Sequence, residues 1–112
     1  YAVTQMFFDN EKYFEFVRKA REMGINIPII PGIKPIHRLS QMNILPKTFR
    51  VDLPTDLVKE LQKCKDDAAV AQVGCEWGVQ QCKELKEHGV PSLHFYTLNA
   101  FDSVYNIAKA IY

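Results

Sequence analysis

The sequence predicts an α/β fold in which three parallel strands are wrapped by covering helices. Three short apolar runs carry this reading: Val3-Thr4-Gln5-Met6-Phe7-Phe8 closing on Asp9, Ile27-Pro28-Ile29-Ile30 closing on Pro31-Gly32, and Leu93-His94-Phe95-Tyr96-Thr97 closing on Leu98-Asn99. Each is followed by a stretch of helical period, and strand–helix alternation is the pattern of a parallel sheet with crossovers. Ligands meet such sheets at the carboxyl ends of the strands. Gln5, Asp9, Tyr96 and Asn99 fall at those ends and are the first candidates for chemistry.

Each element has its own signal. After the first strand, Tyr13, Phe16, Val17, Ala20 and Met23 recur at helical spacing. Asp9 or Asn10 is placed to cap that helix and Gly24 to end it. Pro31-Gly32 and Pro35 are expected to break regular structure after the second strand. A helix is expected around residues 36–43 with Ile36 and Leu39 inward. Turns are expected at Pro46 and Pro54, and a short helix through Leu57, Val58, Leu61 and Cys64. Ala68, Ala71, Cys75, Gly78, Cys82 and Leu85 form a helix seam of small residues, ended by Gly89. The last helix carries Val104, Ile107, Ala108 and Ile111 at helical spacing, with Asn99 as its expected cap. About sixty residues separate the second and third strands, too many for a crossover of one helix. Stacked helices there argue for a decorated barrel.

Composition narrows the function. The 112 residues form one domain or part of one, with 47% hydrophobic and 24% charged residues. A net charge of +1 leaves no electrostatic footprint for nucleic acid. No apolar run approaches the roughly 20 residues that span a bilayer, so neither nucleic acid nor membrane is an expected partner. Cys64, Cys75 and Cys82 show no metal-ligand spacing and read as buried thiols in a reducing, cytoplasmic setting. Tyr1 and Tyr112 both fall inside expected elements, as in a segment of a longer chain. Lys83, Glu84, Lys86 and Glu87 read as a solvated helix face, and His37 and His88 as surface residues.

The strings Thr4-Gln5-Met6-Phe7-Phe8-Asp9, Ile29-Ile30-Pro31-Gly32-Ile33-Lys34-Pro35-Ile36 and His94-Phe95-Tyr96-Thr97-Leu98-Asn99 resemble, in order and spacing, the methylenetetrahydrofolate reductase family. The resemblance runs across residues 1–112. It implies the C-terminal third of a (β/α)8 TIM barrel, namely its last three β–α units. It also implies FAD as cofactor and NAD(P)H as co-substrate, in the reduction of 5,10-methylenetetrahydrofolate to 5-methyltetrahydrofolate in one-carbon metabolism and methionine biosynthesis. Gln5 matches a glutamine that serves both the folate pterin and the nicotinamide. An amide suits that double task because it donates and accepts at once. Gln41 matches a second glutamine on the folate side, and Tyr96 is expected to line the same cleft. Asp9 and Asn99 lie in matched motifs but are expected to be helix caps.

Two positions depart from the pattern. Leu45 stands where some bacterial members place an aromatic against the folate's aminobenzoate ring; leucine keeps an apolar wall but forgoes about 0.5–1.5 kcal/mol of ring stacking. Ala100 stands where some members place an arginine for the folate tail, which leaves Lys34, His37, Arg38 or Lys47 as replacements. The family's acidic catalytic residues and most FAD contacts have no counterpart in these 112 residues, so the isolated segment is expected to be inactive. Self-association through small-residue helix seams is expected. A reading of another class is a non-catalytic α/β module that binds a small ligand or a partner through its strand ends.

Overall fold

A parallel ladder organises residues 1–112, all of which the computed structural model describes. The elements run β1 (Ala2–Met6), α1 (Asn10–Glu22), β2 (Ile29–Ile33), α2 (Gln41–Phe49), α3 (Thr55–Gln62), α4 (Asp67–Glu87), β3 (His94–Phe95) and α5 (Phe101–Ile111). The strands lie in the order β1-β2-β3, and both pairings are parallel. The molecule is a slab of 47 × 30 × 22 Å, and Ala2, Val3 and Gln5 of β1 are exposed to solvent.

The central strand departs from expectation. β2 starts at Ile29 and continues through Pro31 and Gly32 to Ile33, where a break was expected. Successive residues of a strand direct their backbone groups to opposite neighbours. Ile30 pairs with Val3 of β1, so the nitrogen of Pro31 faces the β3 side, and β3 pairing begins only opposite Gly32. The missing N–H therefore interrupts no ladder bond. On the other side β1 absorbs the irregularity with a register shift between Val3 and Met6, a bulge that sets Thr4 and Gln5 opposite Pro31. β3 is shorter than its apolar run, because Leu98 and Asn99 take left-handed backbone angles that end the extension.

The helices follow their signals with four corrections. Asp9 caps α1 by accepting from the Glu11 amide at 3.1 Å, and Gly24 leaves the helix at φ 83°. Tyr13 and Ala20 are buried as expected, but Phe16 and Met23 are exposed. Asn99 does not cap α5; its φ of 72° passes the cap position to Ala100, which makes no side-chain cap bond. The expected helix at 36–43 is displaced to Gln41–Phe49 and contains Pro46, while Leu39 is exposed. It is anchored by Leu45, which is 2% exposed, and closed by Arg50 at φ 54°. In α4 the first half of the seam is shifted: Val70 and Gly74 face inward and Ala68 faces solvent.

Two cores share α4. Met6, Phe8, Ile36, Leu45, Val51, Leu57, Leu61 and Val70 pack between the carboxyl end of β1 and helices α2, α3 and α4. Tyr13, Ala20, Ile29, Ile33, Cys82, Leu85 and Ile107 fill the space between the sheet and helices α1, α4 and α5. Each large aliphatic buried in this way contributes roughly 1.5–3 kcal/mol. Burial pushes the Cys82 thiol up to about 12, so it stays protonated and acts as a small apolar side chain, while Cys64 and Cys75 are half-buried free thiols. No helix is long and apolar enough to cross a membrane.

Gly74 lets α4 touch the segment after β2, since a Cβ there would collide with the backbone carbonyl of Ile36. Helix propensity alone favours alanine by about 1 kcal/mol at such a position. The collision is with backbone, so overpacking dominates, and Gly74→Ala is expected to destabilise by roughly 1–3 kcal/mol in chemical denaturation of the full-length protein. A more stable variant would show that the Ile36 segment moves freely.

Candidate functional site

The carboxyl ends of β1, β2 and β3 meet at a junction built around Gly32. Tyr96 leaves the end of β3, passes over Gly32 and donates its hydroxyl proton to the Thr4 carbonyl at 2.8 Å. From below, the Gly32 amide donates to Thr4 Oγ1 at 2.9 Å, replacing a ladder bond lost at the bulge. A Cβ on Gly32 would lie 2.6 Å from both the Thr4 carbonyl oxygen and the Tyr96 ring, so only glycine admits the phenol to this position. The accepting carbonyl belongs to the peptide bond that carries Gln5. The structure thus brings Gln5 and Tyr96 to one end of the sheet.

Gln5 itself is exposed. Its Oε1 accepts from the Met6 amide at 3.2 Å, and its Nε2 makes no bond within the chain. The strand end behind it is held from the helix side: Gln81 Nε2 donates to the Phe7 carbonyl at 2.8 Å and Trp77 Nε1 to the Phe8 carbonyl at 2.9 Å. Phe7 stacks on Tyr13 with ring centres 5.5 Å apart. His94 meets the Tyr96 ring edge-on at 4.7 Å, a packing role consistent with its place beside the phenol.

Gln41 and Leu45 sit differently. Gln41 is half-buried at the start of α2, and its Oε1 accepts from the amides of His37 (2.8 Å) and Arg38 (3.2 Å). It braces the loop after β2 through its oxygen and leaves its Nε2 as a donor. Leu45 corrects the sequence expectation: the side chain expected at a ligand wall is a core residue beneath that loop.

The loop carries most of the local positive charge. Lys34 is 3% exposed and its Nζ has no partner. Burial first, and the nearby Arg38 second, hold its pKa below the usual lysine value. His37, expected at the surface, is half-buried with an unpartnered Nδ1; burial, Lys34 and Arg38 lower its pKa, against a backbone bond at Pro35 and the charge of Asp67. Of the four residues named as replacements for a tail arginine, Arg38 and Lys47 are exposed, whereas the Lys34 amine is enclosed.

A concavity of about 600 Å3 lies elsewhere, between α1, α3 and α4, and is lined by none of Gln5, Gln41 and Tyr96. The strand-end face is open rather than walled, so the convergence of strand ends marks it better than any enclosed volume. Thr4 and Gly32 were missed as site-building residues. The available signal was a Pro-Gly pair inside an apolar run, which marks a close backbone approach in a strand as well as a turn.

Parallel strands that bring an exposed amide and a phenol to their carboxyl ends define an α/β protein with a candidate site at the strand ends. The chain belongs to the methylenetetrahydrofolate reductase family, whose signature matches residues 1–112. It is 37% identical over 113 residues to a probable methylenetetrahydrofolate reductase (NADPH) of Caenorhabditis elegans, covering 99% of this chain and 17% of that one. It is 38% identical to methylenetetrahydrofolate reductase (NADH) 1 of Arabidopsis thaliana, covering 94% and 18%. It is 33% identical to the 5,10-methylenetetrahydrofolate reductase of Escherichia coli, covering 98% and 38%. The chain therefore spans under a fifth of these plant and animal relatives and somewhat over a third of the bacterial one. In fold it is similar to a Clostridium thermocellum protein that binds two copies of 5-methyl-5,6,7,8-tetrahydrofolic acid, with a TM-score of 0.57 at 17% identity, over 97% of this chain and 41% of that one.

Two outcomes follow from the geometry. Tyr96→Phe removes the donor to Thr4 and is expected to cost about 1 kcal/mol in denaturant unfolding of the full-length protein; an unchanged midpoint and slope would show that the bond does not hold the junction. Lys34→Met removes a buried amine and is expected to stabilise. The folded-state pKa of Lys34 is lowered, so its presence costs stability once the pH falls below the unfolded lysine value near 10.4. The gain from Lys34→Met is expected to be largest near neutral pH and to shrink as the pH approaches 10, as read by unfolding at several pH values. A gain independent of pH would assign the effect to packing alone.

Proposed function

We propose that these residues form the last three β–α units, the C-terminal third, of a (β/α)8 barrel that reduces 5,10-methylenetetrahydrofolate to 5-methyltetrahydrofolate, using NAD(P)H as reductant and FAD as the bound flavin. One observation carries the reading beyond family membership: Gln5, with a free amide N–H2, stands exposed at the carboxyl end of a strand beside Tyr96. Barrel closure is supported by the parallel order of the strands and by the solvent exposure of β1.

The residues here fit the substrate side of such a site. A primary amide pairs with the donor–acceptor edge of a pterin, and equally with a carboxamide, so one side chain serves two ligands that take turns. They do not fit the phosphates of a dinucleotide, which favour glycine-rich turns at helix N-termini. Gly24 and Gly89 end helices, and Gly32, Gly74 and Gly78 are closed by Tyr96, Ile36 and Ile107. The dinucleotide phosphates are thus assigned to residues outside this chain. Within the chain, Gln5 orients the pterin, Tyr96 fixes the peptide from which Gln5 projects, and Gln41 shapes the neighbouring loop and offers its Nε2 to the same ligand. Exposed Arg38 and Lys47 are the cations available to a folate carboxylate.

The test is Gln5→Glu in the full-length enzyme, with the two half-reactions followed separately by flavin absorbance. Replacing the amide N–H2 by a carboxylate removes a donor and adds charge. Folate-dependent reoxidation of the reduced flavin is expected to slow by about tenfold or more, the scale of one charge-affected hydrogen bond, with flavin content unchanged. Unchanged rates in both half-reactions would remove Gln5 from the site.

A further inference from the structure

Beside the strand-end site the chain leaves the sheet with two carbonyls still to satisfy. β1 ends at Met6, and the carbonyls of Phe7 and Phe8 are held by side chains of α4. Gln81 Nε2 donates to the Phe7 carbonyl at 2.8 Å, and Trp77 Nε1 donates to the Phe8 carbonyl at 2.9 Å. Consecutive carbonyls of an extended strand point to opposite sides. Both reach one helix here because the chain bends at Phe8. Gln81 is 6% exposed and is itself oriented, since Asn10 Nδ2 donates to its backbone carbonyl at 3.0 Å. The other buried residues of α4 are Val70, Gly74, Gly78, Cys82 and Leu85, all small or apolar. An amide buried among them is costly unless its hydrogen bonds are made.

These two bonds lie just past the place where the ladder determines β1 least. Between Val3 and Met6, β1 carries one residue more than β2 does between Ile30 and Gly32, and Gln5 lies in that bulge. Side chains alternate along a strand, so moving the extra residue by one position would turn Gln5 to the opposite face. Thr4 holds the bulge from the near side, through Gly32 and Tyr96. On the far side no ladder pair follows Met6. We propose that Gln81, together with Trp77, is a positioning residue for the strand-end site. By fixing the carbonyls of Phe7 and Phe8, the two side chains set the register of the bulged strand and keep the Gln5 amide directed out of the sheet end. Both act through backbone. The inference rests on the reading of Gln5 as a ligand-binding amide.

The test is a double-mutant cycle in the full-length enzyme, read by folate-dependent reoxidation of the reduced flavin. Gln81→Met keeps the length of the side chain and removes its donor. Trp77→Phe keeps an aromatic ring and removes the second donor. Each is expected to slow reoxidation several-fold with flavin content unchanged, the scale of one lost hydrogen bond. In a Gln5→Ala background the same two substitutions are expected to change the rate by less than about twofold, because the group they orient is gone. A merely structural role would slow both backgrounds equally, and that result would overturn the proposal. Unchanged rates when Gln5 is present, or loss of flavin from both variants, would overturn it too. If Gln5→Ala alone left the rate unaltered, the reading of Gln5 would fail and this inference with it. Additive losses beside a large Gln5→Ala effect would sink the inference alone.

Discussion

The hydroxyl of Tyr96 on the carbonyl of Thr4 is the contact on which the strand-end geometry depends. It joins the first strand to the last across the middle one, which has no side chain at the crossing point. β3 contributes only two ladder residues, too few to fix a strand by backbone pairing. The phenol supplies the missing constraint, with the Tyr96 amide donating to Ile33 at 2.8 Å beside it. The bulge in β1 is tolerated because Thr4 replaces a backbone partner with its own oxygen, and the proline in β2 because its nitrogen faces the side where no ladder bond is due. Removing any one of Thr4, Gly32 and Tyr96 leaves the other two without their geometric reason.

Around that junction the packing is divided unevenly. The core behind the sheet is ordinary strand–helix burial, with Ile29 and Ile33 set against α1, α4 and α5. The second core lies beyond the strand ends, where Met6 and Phe8 meet α2, α3 and α4. The long connection between β2 and β3 is therefore no decoration. It builds a hydrophobic platform beside the site and holds the Lys34–Arg38 loop against it. The enclosed, unpartnered amine of Lys34 is the cost of running a charged residue through that platform, and it sits where the chain leaves the sheet.

Much of this was legible in the sequence, because the information was periodic. The parallel order, the α1 cap at Asp9, the helix stops at Gly24 and Gly89 and the seam from Gly78 to Leu85 all follow from apolar spacing and backbone freedom. The motif around Gln5 and Tyr96 was visible as a string, and the structure places its members together. What was illegible was decided by tertiary contact. Pro31 reads as a breaker until the sheet order shows its nitrogen facing an unpaired edge. Pro46 reads as a turn until Leu45 anchors a helix around it. Leu45 reads as a ligand wall only while the core beneath it is unseen. The roles of Thr4 and Gln41 depend on residues far along the chain or on a loop whose path local pattern does not give.

The side chains of α4 that reach under the sheet have a mechanical meaning. Trp77 and Gln81, one turn apart, grip two consecutive carbonyls just past the end of β1, while Asn10 ties the head of α1 to the same stretch of helix. Two rigid struts are thus pinned to the root of the segment from which Gln5 projects. The outer helix α4 is thereby coupled through two short bonds to the strand tip, and through Asn10 to the head of the helix that follows it.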